Sequence, residues 1–290
     1  MQTRYVDVDG IRTRYLDVGS GPPLVLVHGG IFGSYWNADD WEHNVPALAR
    51  AFRVLALDKL GCGFTDNPPA DDRYVMGSMV DHLLGFVRAL GLRLVNLAGH
   101  SRGGYAVARL AVEHPDLVAS LAIVDSNSLV SAPGSQYMAW EAEAAAISDI
   151  RERHRFLIRA NSWSDAHITD RYLDVVSEVV SLPKTVDAKG KMDGGLRARF
   201  GRDFVERQAE LQAMILAGRL SSPTLLVWGF EDPSATVDGS GIPAMRLVLG
   251  SVPTAEMHVL NHAGHMSMRE RPEAFNTILA DFIGRHGGIG

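Results

Sequence analysis

The stretch that decides the fold is LRLVNLAGHSRGGYAVARLAVEHP, residues 92–115. Its first part is a short apolar run, and its last part has the small and apolar residues of a helix. Between them, two glycines flank Ser101 in the pentapeptide GHSRG. Short, nearly all-apolar runs are typical of parallel strands buried on both faces, and a helix that follows directly is typical of a βα unit. The stretch therefore predicts a parallel α/β sheet.

Other apolar runs of this kind occur along the chain, and each ends in a glycine or a polar residue. They are PLVLVHGG at 23–30, FRVLALD at 52–58, LVASLAIVD at 117–125, SPTLLVWG at 222–229 and AEMHVLN at 255–261. Helix-like stretches lie between the early runs, with DDWEHNVPALARAF at 39–52 and VMGSMVDHLLGFVRALG at 75–91. Asp9–Gly10 separates two strand-like runs and is typical of a type I′ hairpin turn. We therefore expect a mostly parallel central sheet flanked by helices.

The pattern changes between residues 126 and 220, where helix-like segments replace the buried-strand runs. Such a block, inserted into a βα series, is expected to cover the edge of the sheet where ligands of open α/β sheets bind. The sequence therefore predicts a core domain formed by residues 1–125 and 221–290. Residues 126–220 are predicted to form a helical lid.

Composition limits the classes of function that the chain can have. A formal net charge of −6 and a sequence pI near 6.0 argue against nucleic acid and anionic membranes as partners. A single cysteine, Cys62, excludes an internal disulfide and a multi-cysteine metal site. Neither a signal peptide nor an apolar run of membrane-spanning length is visible. We expect a cytoplasmic protein that acts on a small-molecule substrate without metal or cofactor; its oligomeric state, a homo-oligomer included, is left open.

Ser101 stands where an α/β sheet presents a reactive side chain. The flanking glycines permit a tight turn between strand and helix, which would raise the hydroxyl above the sheet edge. A serine that merely caps the helix after a glycine turn is the alternative interpretation of the motif alone. Because a serine hydroxyl is a weak nucleophile, the catalytic interpretation requires a base and an acid that orients the base.

Candidates for both partners follow strands later in the chain. His265 lies in the loop NHAGH after AEMHVLN, and Asp232 ends LLVWGFED. The carboxyl ends of parallel strands meet at one edge of a sheet, so we expect Ser101, Asp232 and His265 to converge as nucleophile, acid and base. The alternatives are His262 as the base and Asp125, which ends LVASLAIVD, as the acid.

The segment VHGG at 27–30 supplies a candidate oxyanion hole. A tetrahedral intermediate requires preorganised N–H donors. One candidate donor is the N–H of Arg102, and the other is that of Gly30, with Ile31 as the alternative to Gly30. His28 is expected to orient this loop by hydrogen bonding.

Four motifs together carry a resemblance to a known family. HGG, GHSRGG, WGFED and GHMSMRERPE, which are spread over essentially the whole chain, resemble motifs of the α/β-hydrolase superfamily. The resemblance implies the α/β-hydrolase fold, with a Ser101 nucleophile, a His265 base and an Asp232 acid. It also implies an oxyanion hole formed by Gly30 and Arg102, and it identifies the helical insertion with the lid of that family.

A narrower resemblance rests on DKLGCGFTDNP at 58–68. This stretch is similar to the corresponding loop of the meta-cleavage-product hydrolases, which split a C–C bond in 2-hydroxy-6-oxo-dienoates. Those enzymes usually carry asparagine before the serine and tryptophan after the histidine, whereas this chain has His100 and Met266. They also bind the substrate carboxylate with a lid arginine, and the predicted lid contains Arg159 and Arg171.

We therefore predict a serine hydrolase that cleaves an ester or a ketonic C–C bond of a small, largely apolar carbonyl substrate. It would resemble a carboxylesterase or a 2-hydroxy-6-oxo-dienoate hydrolase. Ile31, Phe32, His100 and Met266 are expected to contact the substrate. The alternative is a cofactor-free oxygenase or a non-catalytic ligand-binding protein on the same fold. Oxygenases of that type resemble this chain in a Ser–His pair, with the acid at the strand that Asp125 ends.

Overall fold

The computed structural model describes residues 3–130 and 136–287. Within these residues the strands form one sheet in the order β1-β2-β4-β3-β5-β6-β7-β8. The strands are β1 (Thr3–Val8), β2 (Ile11–Val18), β3 (Pro23–Val27), β4 (Arg53–Leu57), β5 (Val95–His100), β6 (Val118–Val124), β7 (Thr224–Gly229) and β8 (Glu256–Leu260). From β4 to β8 along that order the neighbours are parallel, which confirms the predicted mostly parallel sheet.

The helices lie on both faces of the sheet. They are α1 (Val45–Leu48), α2 (Met76–Ala89), α3 (Arg102–Glu113), α4 (Tyr137–Ala144), α5 (Ile150–Ala160), α6 (Asp170–Ser181), α7 (Pro183–Lys191), α8 (Arg197–Leu216), α9 (Ile242–Leu249), α10 (Ser267–Glu270) and α11 (Pro272–His286). Short 3₁₀ helices span Ala38–Trp41, Asp71–Arg73 and Pro115–Leu117, and single wide π turns span Met192–Leu196 and Val237–Gly241.

The antiparallel part of the sheet is at its beginning. β1 and β2 form a hairpin in which Val8 pairs with Ile11, and β2 continues antiparallel to β4. Asp9 and Gly10 both have positive φ, 52° and 84°, as a type I′ turn requires. The hairpin predicted from the Asp–Gly pair is therefore present.

Two apolar clusters cover the two faces of the sheet. In β3, Val25 and Val27 belong to one cluster, while Leu24 and Leu26 belong to the other. Side chains of a strand alternate between faces, so a strand buried on both sides must be apolar at every position. The first cluster includes residues of α2, α3, α8 and α9, and the second includes residues of α1, α6 and α11.

The helix predicted over 39–52 is wrong in its extent. The chain forms only the 3₁₀ turn Ala38–Trp41 and the four-residue α1 there. Polar side chains in this segment bond elsewhere instead of leaving the backbone to a continuous helix. The side-chain oxygen of Asn37 accepts from the Asp39 N–H and caps the 3₁₀ turn, and the side-chain amide of Asn44 donates to the Met268 carbonyl, 2.8 Å away.

Helices α4 to α8 all come from the segment between β6 and β7. The described residues of that segment contain no strand, while the sheet is formed by strands within 3–124 and 224–260. The segment returns to the core at several places. At one of these places, the backbone N–H of His265 donates to the carbonyl of Asn161, at the end of α5.

Candidate active site

Ser101 occupies a sharp turn between β5 and α3. Its backbone has φ 51° and ψ −120°, a strained conformation for a residue with a side chain. The turn is held by hydrogen bonds, since the Ser101 N–H donates to the Val124 carbonyl at 2.9 Å. The Ser101 carbonyl accepts from the Ser126 hydroxyl at 2.6 Å. The strand, the turn and the helix thus fix where the Ser101 hydroxyl lies.

The glycines of GHSRGG are required by close backbone contacts. A Cβ on Gly99 would lie 2.3 Å from the Gly103 carbonyl oxygen, and one on Gly103 would lie 2.4 Å from that of Val27. Both distances are far below a van der Waals contact, so only glycine lets α3 approach β5 and β3 so closely. The motif is therefore the sequence signature of this tight strand–helix packing.

The structure brings together Ser101, His265 and Asp232. His265 Nε2 is 3.1 Å from Ser101 Oγ, and His265 Nδ1 is 2.8 Å from Asp232 Oδ2. The other carboxylate oxygen of Asp232 accepts the N–H groups of Ser234 and Ala235, each at 2.8 Å. This contact order is the one that a serine nucleophile, its base and an orienting acid require.

The protonation of His265 is governed by two opposing effects. Burial disfavours the charged imidazolium, but the adjacent Asp232 carboxylate and its hydrogen bond outweigh burial and raise the pKa of His265. A base of this kind receives a proton readily when the serine hydroxyl attacks a substrate.

The alternative acid and base have other contacts. Asp125 accepts the Gly229 N–H at 2.7 Å through one oxygen and the Ser267 N–H and hydroxyl through the other. It joins β7 to the residues after His265 without a hydrogen bond to the imidazole. His262 is exposed and stacks on the ring of Trp163, 5.3 Å between centroids.

The loop after β3 is fixed by buried polar side chains. His28 Nδ1 donates to the Gly29 carbonyl at 2.7 Å, and His28 Nε2 accepts the Lys59 N–H at 3.0 Å. The Lys59 ammonium donates to the Gly30 carbonyl at 2.8 Å. Burial lowers the pKa of His28 well below its ordinary value, consistent with a neutral imidazole that donates from one nitrogen and accepts at the other. His28 thus orients the loop as expected.

N–H groups near Ser101 are free to bind an oxyanion. Within the described residues, those of Gly30, Ile31 and Arg102 donate no hydrogen bond. All three residues line the same cavity as Ser101. These three backbone N–H groups can therefore donate to a ligand oxygen.

A cavity of about 740 Å³ opens above Ser101 and His265. Ile31 and Phe32 line it, together with residues that the sequence did not single out for this role. These additional residues include Tyr137, His154, Leu157 and Met192, which all come from the helical segment. They escaped prediction because only the packing of that segment against the core brings them to the cavity.

Two predicted substrate contacts lie behind the cavity wall. His100 and Met266 are fully buried and do not line the cavity. His100 Nε2 donates to the carbonyl of His265 at 2.7 Å, and its ring lies 5.2 Å from that of Trp36. The structure therefore places His100 as a support for the backbone that carries His265.

The two arginines considered for carboxylate binding are engaged elsewhere. Arg159 donates to the Ser162 carbonyl at 2.9 Å. Arg171 bonds the carboxylates of Asp39 and Glu42 on the core. Neither arginine is among the residues that line the cavity.

The comparisons with known proteins bear on the fold and on the class of enzyme. A family model described as alpha/beta hydrolase fold matches residues 22–272. The chain belongs to the alpha/beta hydrolase fold family. The predictions of this fold and of a hydrolase are thereby confirmed.

Relatives of this alpha/beta hydrolase cover nearly its whole length. It is 30% identical to the 2-hydroxymuconate semialdehyde hydrolase of Pseudomonas sp. (strain CF600), over 97% of this chain and 93% of that protein. It is 28% identical to the 2-hydroxy-6-oxo-6-(2'-aminophenyl)hexa-2,4-dienoic acid hydrolase of Metapseudomonas resinovorans, over 99% and 92%. A solved serine hydrolase involved in carbazole degradation matches with a TM-score of 0.76 and 26% identity, covering 98% of this chain and 99% of that one.

No helix in the described parts of this alpha/beta hydrolase is long and apolar enough to cross a membrane. Among the same residues, no group of three or more histidine, cysteine, aspartate or glutamate side chains is placed to hold a metal ion.

Proposed function

We propose that this hydrolase uses Ser101 as a nucleophile, His265 as its base and Asp232 as the orienting acid. The reaction would cleave an ester or a ketonic C–C bond of a small, largely apolar carbonyl substrate. The observation that carries the proposal is the continuous contact from Ser101 Oγ through the His265 imidazole to Asp232.

The chemistry follows from these contacts. Ser101 Oγ attacks the carbonyl carbon while its proton passes to His265 Nε2, and Asp232 stabilises the resulting imidazolium without taking the proton. The N–H groups of Gly30 and Arg102 hold the oxyanion; loss of one such donor typically costs roughly 2.7–4 kcal/mol of barrier. The bond to the leaving group then breaks, and the leaving group receives the proton from His265. Water, activated by the same imidazole, releases the acid and restores Ser101.

The helical segment is the proposed lid over a core formed by residues 1–125 and 221–290. Tyr137 of α4 and His154 and Leu157 of α5 line the cavity that contains Ser101. A lid of this kind would exclude water from the reacting carbonyl and limit substrates to those that fit about 740 Å³.

The named relatives favour a C–C bond as one of the two candidate targets. Two of them act, by their names, on a 2-hydroxymuconate semialdehyde and on a 2-hydroxy-6-oxo-hexa-2,4-dienoic acid. In such substrates a carbonyl carbon is joined to a carbon chain that can leave as a stabilised carbanion. The serine mechanism applies to that carbonyl as it does to an ester.

The first prediction tests the nucleophile and the target bond together. Turnover of p-nitrophenyl butyrate and bleaching of the coloured 2-hydroxy-6-oxo-6-phenylhexa-2,4-dienoate are measured for the wild type, Ser101→Ala and a control, Ser177→Ala. Ser177 lies on α6, and its hydroxyl donates to the Leu173 carbonyl of the same helix. We expect Ser101→Ala to lose at least about 10⁴-fold in kcat on any accepted substrate, and the control to lose less than about twofold.

Each outcome of this experiment has a defined meaning. Near-native turnover by Ser101→Ala would contradict the serine nucleophile. Ester hydrolysis without bleaching of the dienoate would exclude the C–C bond as a target of this type, whereas bleaching that Ser101→Ala abolishes would support it.

A further inference from the structure

The side chain of Arg102 is a half-buried cation that has no hydrogen-bonding or ionic partner among the residues the structure describes. Arg102 follows Ser101 directly and begins α3, and it lines the cavity that contains Ser101 and His265. In the described parts of the chain its guanidinium donates no hydrogen bond and forms no ion pair. Its Nη1 is buried and unbonded. Buried charges are normally paired, so this arrangement requires an explanation.

Aromatic rings pack against the guanidinium but accept no hydrogen bonds from its N–H groups. Its central carbon lies 4.1 Å from the centroid of the Phe204 ring and 5.7 Å from that of Phe200. These two rings of α8 are nearly parallel, with 8° between their planes. Burial lowers the pKa of Arg102 to about 10, and the group therefore stays protonated at neutral pH. The rings orient a charged fork whose N–H groups have no acceptor among the described residues.

Other cations around the cavity already have partners. Lys189 and Arg197 both contact the Asp193 carboxylate, at 2.9 and 3.2 Å. The Lys59 ammonium bonds the Gly30 carbonyl. Burial is the main cause that lowers the pKa of Lys59, and the nearby Arg102 charge lowers it further. Arg102 therefore presents a positive charge that the surrounding protein does not balance.

We propose that the guanidinium of Arg102 is a subsite for a carboxylate group of the ligand, next to the nucleophile. A carboxylate matches the planar guanidinium fork and neutralises its single charge. A phosphate dianion fits less well, because the carboxylates of Glu141 and Asp193 line the same cavity. The inference rests on the proposed function only in taking the Ser101 cavity as the substrate site, and it applies to an ester and to a C–C bond alike.

The test measures binding without turnover. Calorimetry measures the affinity of the Ser101→Ala protein for 4-phenylbutyrate and for 4-phenylbutyramide, which has the same shape and no charge. We expect the anion to bind at least about tenfold more tightly, because hydrogen bonds to a charged partner are the strong ones. Adding Arg102→Met should remove this preference and leave the affinity for the amide within about threefold. Arg102→Lys should retain part of it, because the ammonium keeps the charge but loses the fork.

A matched control and a stability measurement separate binding from a structural role. Arg199 is exposed on α8 and does not line the cavity. Arg199→Met removes the same charge from the molecule and should leave the preference unchanged. Arg102→Met should raise Tm in the absence of ligand, because it replaces a half-buried charge, unpaired within the described residues, by an apolar side chain of similar length.

Three results would overturn the proposal: equal binding of the acid and the amide, a preference that survives Arg102→Met, or a preference lost equally in Arg199→Met. None of these depends on hydrolysis. A carboxylate preference with no turnover of any ester or dienoate would leave the subsite standing while the proposed catalytic function failed.

Discussion

Asp125 and Asp232 are two buried aspartates that follow neighbouring strands, and their contacts separate their roles. Asp232 bonds the His265 imidazole. Asp125 bonds the backbone of Gly229 and both polar groups of Ser267, and its φ of 45° makes it part of the turn after β6. Burial, followed by the nearby Asp232 charge, raises the pKa of Asp125 well above its ordinary value. A carboxyl group with a raised pKa, whose two oxygens already accept hydrogen bonds from Gly229 and Ser267, is suited to fixing the loop that follows His265. It is less suited to stabilising the imidazolium charge.

The second prediction compares these two aspartates. Asp232→Asn should lower kcat by about 10³–10⁴-fold, because the amide favours the wrong imidazole tautomer. It should also move the acid limb of the kcat/KM profile to lower pH, since Asp232 raises the pKa of His265 and the base must be neutral to act. Asp125→Asn should keep kcat within about tenfold and lower the unfolding free energy by about 1–3 kcal/mol. The reverse pattern would identify Asp125 as the acid and favour the oxygenase-like arrangement.

At the scale of the element, β5 and α3 form a unit whose turn is possible only with glycine. The strained φ and ψ of Ser101 are maintained because β5 is paired on both sides and α3 is buried against it. Gly103 lies at the point of closest approach, between α3 and the end of β3. The position of the nucleophile is therefore a property of three elements and not of the serine alone.

The third prediction concerns that approach. Gly103→Ala places a Cβ 2.4 Å from the Val27 carbonyl oxygen and should lower the unfolding free energy by about 2–4 kcal/mol while displacing Ser101. The matched control is Gly284→Ala in α11, where a Cβ meets nothing within 4 Å. That substitution should stabilise the protein by about 0.5–1 kcal/mol, because alanine favours the helix over glycine. Urea unfolding checks both values, and a Gly103→Ala protein as stable as the wild type would contradict the packing argument.

At the scale of the whole molecule, a buried arginine joins the helical segment to the core. Arg269 in α10 donates to the Asp39 and Asp40 carbonyls, to the Glu42 carboxylate and to the His167 carbonyl. Its guanidinium carbon also lies 3.8 Å from the centroid of the Tyr172 ring on α6. The guanidinium thus bonds both parts of the chain in a site that water does not reach.

The fourth prediction is that the contacts of Arg269 contribute several kcal/mol to the free energy of unfolding. Arg269→Met removes a buried guanidinium that donates to the Glu42 carboxylate and to three carbonyl groups, and should lower the unfolding free energy by about 3–5 kcal/mol. The control is Arg151→Met, which removes a partly exposed arginine from its pairs with the exposed Asp170 and Asp174. That change should leave the unfolding free energy nearly unchanged, because exposed ion pairs contribute little to stability. Equal losses of stability in the two variants would contradict the assigned role of Arg269.

Several features of the fold and the site could be predicted from local pattern. Runs buried on both faces predict parallel strands, the Asp9–Gly10 pair predicts a type I′ turn, and a parallel sheet brings the residues after its strands to one edge. The overextended helix at 39–52 shows where this reasoning fails. Its polar side chains are recruited by distant groups such as the Met268 carbonyl, which a local pattern cannot reveal.

By itself, the sequence determined the parallel α/β sheet, the glycine-bounded turn at Ser101 and the set of polar residues that follow the strands. Only the tertiary structure decided which aspartate contacts His265, that His100 and Met266 do not line the cavity, and that the Arg102 guanidinium has no hydrogen-bonding partner in the described parts of the chain. The physical reason is the distance along the chain over which the interactions act. Strand and turn formation depends on neighbouring residues, whereas the direction and partners of a buried side chain depend on contacts with residues up to hundreds of positions away.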